Sequence, residues 1–391
     1  AYSLGVDGWD GGAGSRTAAR DGRLYAHGVR RHSGGGMTIE PRQILAFRYL
    51  RSGFAGGDGV VPASDFSRNS GLLALAARAP GMTRTRFEAA VDAGDLVMAH
   101  TLRAAIHVQA PDDRWALGPA LVSDDPGELA RQLGNLKGTE ATREPREALD
   151  AVTDAVRAAL ARGRRLDRVQ LHAALRDALP DDLLPWCKGC GTHHVAPMLW
   201  RYATVAAGAR LDAQRRYRTG GRARAAHAED AARMFLRWYG PATAGDLADW
   251  AGLAPAHARR VWDALADELT PTGRGRASAA LLTADADALR DAPPPDGVVF
   301  VPPGDPFLWK VNRPLIVPDR SRRGHFFRAV SSPGAVLVAG VPLASWRVRR
   351  DGDRVAFAVE KLGRVSQAAL TDGAERVAAA LEAPVAAVDV T

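Results

Sequence analysis

Three constellations in this 391-residue chain carry side chains able to do chemistry. The first is His107-Val108-Gln109. Side chains alternate between faces along a strand, so this imidazole and amide share one face and together can bind and orient a water. The plainer reading is a structural histidine with Gln109 turned to solvent. The second is Asp65, just ahead of the apolar run at 70–76. A carboxylate there can align a water or stabilise a developing cation, or it can cap the helix that follows. The third is Cys187-x-x-Cys190-x-x-His193-His194. The spacing invites zinc, but adjacent histidines extend in different directions, so at most one joins two thiolates in a tetrahedral set. We read this segment as a tight turn with buried thiols and expect neither metal nor cofactor.

The charges come next. All but four of the 52 basic residues are arginine, and the formal net charge is +8. Arginine's forked, permanently charged group suits phosphate, so the excess fits a polyanionic partner. Abundant Ala, Gly, Asp and Pro also point to compositional bias. The order of the charges decides more. Arg210, Arg215, Arg216, Arg218, Arg222 and Arg224 crowd one short basic hairpin. Their density favours phosphate contact over a merely solvated loop. Arg259 and Arg260 fall on the exposed face of a helix, and Arg274 and Arg276 in a Gly/Arg turn. With His193 and His194 they complete the expected phosphate-facing set.

Hydrophobic residues make up 46% of the chain, enough for a packed core. No stretch is apolar for long enough to span a bilayer, and the first 36 residues lack a signal-peptide core. The expectation is a cytoplasmic monomer with reduced thiols. His172, His227 and His257 have no partners at telling spacing, and Trp200, Trp238, Trp250 and Trp262 fall at helical core positions. The Gly runs at 11–14 and 34–36 lack the flanking elements and lysine of a phosphate loop.

Small helical units must position these residues. The clearest spans 230–283. A helix ends at Gly240-Pro241, and Thr243 with Asp246 forms a capping box. Gly252 closes the second helix, and Pro255 opens a third that buries Val261, Leu265 and Leu269. A basic hairpin follows. Helix, turn, helix and basic hairpin make a winged helix, whose third helix can enter a major groove. A similar order covers 140–224, with a helix over Leu166–Leu179 carrying apolar Val169, Leu171 and Leu175, and a degenerate copy covers 38–118. From about 298, strand-like alternation takes over. The predicted fold is mainly α with β. A disordered or upstream extension (1–36) precedes winged-helix units at 37–125, 126–225 and 226–295, and a small β-barrel-like module fills 296–391.

Five stretches carry a resemblance: LVMAHTLRAAIHVQAPDD (96–113), WCKGCGTHHVAPMLWRYATVAAGARL (186–211), FLRWYGPATAGDLADWAGL (235–253), VPPGDPFLWKVNRPLIVPD (301–319) and GAVLVAGVPLASWRVRR (334–350). In this order they resemble the AlkZ/YcaQ family of DNA glycosylases, the first matching that family's Arg-Gly-x-x-His strand segment. The resemblance implies three tandem winged helices, a small β-barrel and excision of N7-alkylated purines from duplex DNA. It also implies unhooking of interstrand crosslinks, self-resistance to DNA-alkylating antibiotics in some members, and no metal. The family's catalytic Gln-x-Gln or Gln-x-Asp should fall near 63–66. No glutamine is there; Asp65 is the one residue in that stretch able to align a water or offset charge on the sugar.

An N7-alkylguanine already carries a positive charge and leaves readily, so protonation of the base is unnecessary. Holding the lesion, favouring an oxocarbenium-like sugar and delivering water suffice. Two readings stand: a DNA glycosylase, and a non-catalytic regulator or damage sensor on the same scaffold. The missing glutamines favour the second; the full-length resemblance favours the first.

Overall fold

A computed structural model of the protein describes residues 39–56, 61–65, 69–135, 143–221, 223–273, 279–328 and 330–391. The expected extension at 1–36 lies outside the described residues, as do Arg222, Arg274 and Arg276.

The first third holds α1 (Pro41–Arg51), β1 (Ala63–Ser64), α2 (Ser70–Ala76), α3 (Arg84–Ala93), β2 (Val97–His100), β3 (Ile106–Gln109), α4 (Asp113–Leu117) and α5 (Pro126–Gln132). Local chemistry sets the boundaries. Thr83 accepts the Arg86 N–H to start α3, and Gly94 at φ +94° ends it. The second third holds α6 (Pro145–Ala159), α7 (Arg168–Ala178), β4 (Trp186–Cys187), β5 (Thr192–His193), α8 (Pro197–Ala206), β6 (Arg210–Leu211) and β7 (Tyr217–Arg218). An Asp167–Gln170 capping box starts α7, which buries Leu171 and Leu175. Val169, expected inside, is 76% exposed, because it lies off the stripe those leucines define.

Next come α9 (Ala228–Tyr239), α10 (Ala244–Ala251), α11 (Pro255–Ala264), β8 (Leu269–Thr272) and β9 (Ala279–Leu282). The Thr243–Asp246 box, Gly252 at φ +74° and Pro255 in the first turn of α11 stand where the spacing put them. The third helix is shorter than expected. It stops at Ala264, and Leu269 opens a strand. Trp200, Trp238, Trp250 and Trp262 are all buried.

The last segment holds α12 (Ala286–Asp291), β10 (Val298–Val301), α13 (Arg313–Ile316), α14 (Arg323–Phe326), β11 (Gly334–Val338), β12 (Val341–Asp351), β13 (Arg354–Lys361), α15 (Gln367–Ala380) and β14 (Val385–Val390). The expected barrel is corrected here: the sheet is open, in the order β10-β11-β12-β13-β14. The crossover through α15 returns β14 parallel to β13, so the last strand adds to an edge. The helix packs against β10 so closely that a Cβ at Gly373 would fall 2.1 Å from the Phe300 ring. An apolar face covered by a helix needs no closure to be hidden from water.

The units also share structure. One five-stranded sheet, β1-β3-β2-β6-β7, joins the strands of the first third to the hairpin of the second through Met98 and Leu211. The largest core cluster runs from Leu72 and Val108 through Leu149 and Leu199 to Phe300 and Trp346. A buried arginine, Arg48 of α1, ties the first third to the rest. Its guanidinium donates to the carbonyl oxygens of Gly240, Pro241 and Val311 and to Asn312 Oδ1.

Candidate active-site cleft

The register of one short strand pair decides what faces what. Ser64 of β1 stands opposite His107 of β3, and Ala63 opposite Val108. Alternation puts Ser64 and His107 on one face, with Pro62 and Gln109 flanking them, and Asp65 on the other face with Val108. A cavity of about 200 Å³ lies on the first side. Its wall takes Pro62, Ser64, Arg103 and His107 from the first third, Tyr239 and Trp250 from α9 and α10, and Asp305, Trp309, Arg313 and Phe327 from the last segment.

His107 and Gln109 are both buried, so the solvent-exposed Gln109 of the plainer reading does not occur. Thr101 joins them. The His107 Nδ1 lies 3.0 Å from the Ala105 carbonyl oxygen and 3.2 Å from Thr101 Oγ1, which donates to Gln109 Oε1 at 3.3 Å. A carbonyl oxygen accepts only, so the proton sits on Nδ1 and Nε2 keeps its lone pair. Burial, helped by the Arg103 charge, lowers the His107 pKa to about 3. At neutral pH this imidazole is therefore uncharged.

Arg103 reaches the cleft through an unusual backbone. It and Ala104 hold φ +53° and +51°. Ala104 occupies the glycine position of the Arg-Gly-x-x-His pattern, and this is the conformation glycine takes without strain. The guanidinium donates to the Trp250 carbonyl oxygen and lies 4.2 Å from the Trp309 ring centroid. Gly252 makes room for it, since a Cβ there would fall 2.6 Å from Arg103 Cγ. Arg313 likewise covers Phe327 at 4.2 Å. Asp305 on the cleft wall is held by Arg78 through two bonds of 2.8 Å.

Asp65 belongs to a different neighbourhood. It is 3% exposed, accepts the Gly71 N–H at 2.9 Å and is ion-paired with Arg215. Burial raises its pKa, and the Gly71 N–H and Arg215 oppose that shift. The structure thus joins Asp65 to the start of α2 and to Arg215, and does not bring it together with His107 and Gln109.

The expected phosphate-facing residues divide in the same way. Arg215 holds Asp65, Arg216 holds the fully buried Asp212 at 2.9 Å, and Arg224 pairs with Asp112. Arg210 and Arg218 stand side by side across β6 and β7, with no carboxylate in ion-pair range among the described residues. Arg259 is exposed; Arg260 is exposed but reaches Glu128 at 3.1 Å. His193 is exposed, its Nδ1 donating to the Leu184 carbonyl oxygen. His194 turns to the cysteines. The thiols are not buried as expected, for Cys187 is half-buried and Cys190 exposed.

Sequence reasoning missed Ser64, Thr101, Trp309, Arg313 and Phe327, which come from segments far apart in the chain. Arg103 had a signal, the Arg-Ala-Ala-Ile-His spacing that ends in His107.

The cleft thus has an uncharged imidazole at its wall and lies within an arginine-rich scaffold suited to a polyanion. The chain belongs to the AlkZ-like DNA glycosylase family, whose model, described as DNA glycosylase AlkZ-like, matches residues 60–388. The structure is similar to that of the Streptomyces sahachiroi DNA glycosylase AlkZ, with a TM-score of 0.68 over 91% of this chain and 100% of that one, at 16% identity. No curated protein sequence matches this one. No helix among the described residues is long and apolar enough to cross a membrane.

Proposed function

We propose that the protein hydrolyses the N-glycosidic bond of N7-alkylated or bulky guanine adducts in duplex DNA, with His107 orienting the attacking water through a hydrogen bond to its unprotonated ring nitrogen. The observation that carries this is the tautomer lock. Nδ1–H is committed to Ala105 and Thr101, so the lone pair remains on Nε2 of a residue that lines the cleft. The adduct is charged while attached and departs as a neutral base, taking the bond's electron pair, so the protein need only position the sugar and deliver water. Ser64, beside His107, offers a hydroxyl to the same water; Gln109 orients His107 through Thr101. Asp65 acts as a positioning residue through Arg215 and α2.

Arg210 and Arg218 would take phosphates, with Arg259, Arg274 and Arg276 as further contacts. The helix-helix-helix-hairpin order of α9, α10, α11, β8 and β9 supports a winged-helix reading of that unit. The same reading extends to crosslinked duplexes and to self-resistance against an alkylating genotoxin.

The test incubates the purified protein with duplexes carrying N7-methylguanine, a bulky N7 adduct or an interstrand crosslink, and scores alkali-labile abasic sites. Abasic sites opposite the lesion's partner base support the proposal. Tight binding of every duplex with no abasic site in any would favour a damage sensor, a reading motivated by the absence of glutamine at 63–66, where the family's motif is expected.

A further inference from the structure

The hairpin of β4 and β5 is poorly explained by its own packing. It has two residue pairs, Trp186 with His193 and Cys187 with Thr192. Trp186 at its base is 59% exposed. Two-stranded hairpins of this size are marginal in water, and a ribbon with so little buried surface needs another fastening.

The geometry of its loop supplies one. The Cys187 carbonyl oxygen accepts the N–H of Cys190 at 3.2 Å and of Gly191 at 2.9 Å, curling the chain so that both sulfurs face the same point. Gly191 holds φ +62°, which lets the turn close. His194 then enters from beyond β5. The ligand atoms of Cys187, Cys190 and His194 all lie within 4.8 Å of one another. The His194 Nδ1 donates to the Val195 carbonyl oxygen at 2.8 Å, which fixes the tautomer and leaves Nε2 as an electron-pair donor. His193 faces the other way, held by the Leu184 carbonyl oxygen.

We infer that Cys187, Cys190 and His194 bind a single zinc ion that fastens this hairpin, with the fourth position open to water beside the exposed Cys190. The chemistry selects zinc. Two thiolates and an imidazole suit a borderline-soft ion without geometric demands of its own. Tetrahedral coordination with Zn–S of about 2.3 Å and Zn–N of about 2.0 Å requires ligand atoms about 3.5 to 3.8 Å apart, a contraction that side-chain rotation at a surface loop can supply. Lys188 within the loop and Arg168 nearby offset the thiolate charge. This site departs from the metal-free expectation drawn from the sequence. It is separate from the cleft, so its existence does not depend on the glycosylase reading.

Protein purified without chelator should carry about one zinc per chain by plasma mass spectrometry. Replacing the zinc with cobalt should give the strong visible absorption of a tetrahedral site, together with sulfur-to-cobalt charge transfer. Cys190→Ser and His194→Gln should each lower zinc content to about a tenth or less while retaining the far-ultraviolet dichroism of the parent. Absence of zinc together with absence of the tetrahedral cobalt spectrum in the wild type would overturn the inference. Full zinc occupancy in both variants would overturn it as well, since the metal would then lie elsewhere. Because the cobalt spectrum is read on wild-type protein, an unfolded variant does not shelter the idea.

Discussion

The two faces of the sheet around β1 differ in what their polar groups are left free to do. On the cleft face, Gln109, Thr101 and His107 form a hydrogen-bonded chain that leaves the far imidazole nitrogen unprotonated, with Ser64 beside His107 in the strand register. On the opposite face, Asp65 is bonded to Gly71 and to Arg215, so its lone pairs are spent within the fold. Asp65 and His107 are both almost wholly buried, and burial works against the charged form of each. The imidazole becomes neutral; the Asp65 carboxyl has its pKa raised by burial, against the opposing pull of the Gly71 N–H and Arg215. The lesson is that burial and residue type alone do not mark a catalytic group. What its other atoms are bonded to decides.

The comparison should break first at the chemistry. His107→Gln should slow single-turnover excision by about 100-fold, near 2.7 kcal/mol in the barrier, while duplex affinity changes little. Asp65→Ala should act on the fold instead, leaving Arg215 without its partner. We expect a loss of about 2 kcal/mol in chemical unfolding, less than for a fully buried pair because the Arg215 side chain is 33% exposed. Excision by folded Asp65→Ala should stay within about threefold of the parent. A double-mutant cycle with Arg215→Ala should show the two costs overlapping rather than adding.

The pH response should separate the faces again. In the unfolded chain His107 takes up a proton below about pH 6.5; in the folded protein it does so only near 3. Between those values the unfolded state binds the extra proton, so stability is full above about 6.5 and falls as the pH drops. His107→Gln removes that contribution. Its loss of unfolding free energy between pH 7 and pH 5 should be smaller than the wild type's by up to about 2 kcal/mol, from denaturation curves at the two pH values. An equal loss in both proteins would mean that His107 is not held neutral.

The smallest effect belongs to the arginines. Arg210→Ala with Arg218→Ala should lower the slope of log affinity against log salt by about 1.8, counting about 0.9 for each phosphate contact. Arg216→Ala should leave the slope nearly unchanged, because that arginine serves the buried Asp212. The reverse pattern would place the DNA on another face.

Much of the scaffold was legible because short-range chemistry writes it. The Thr243–Asp246 box, Gly252 and Pro255 set α10 and α11 in sequence and structure alike. The alternation of His107 and Gln109 correctly gave a shared face. The same rule, carried across the strand pair, would have separated Asp65 from them, but it needs the register of β1 on β3, which no local pattern states. The cleft walls at 250, 309 and 313 depend on distant segments of the chain packing together, which no local pattern states. The barrel expectation failed because strand alternation reports a buried face without saying whether a helix or another strand covers it. The basic hairpin could be found from composition, yet which of its arginines are engaged inside the fold could not.

Chemical rescue tests the central claim most directly. His107→Gly and Asp65→Ala are each assayed for single-turnover excision of N7-methylguanine from a duplex, with and without added imidazole. If His107 orients the water through its unprotonated nitrogen, imidazole should restore excision by His107→Gly saturably, by about tenfold or more, and leave Asp65→Ala unaffected. Excision by His107→Gly at the wild-type rate without imidazole would contradict the account.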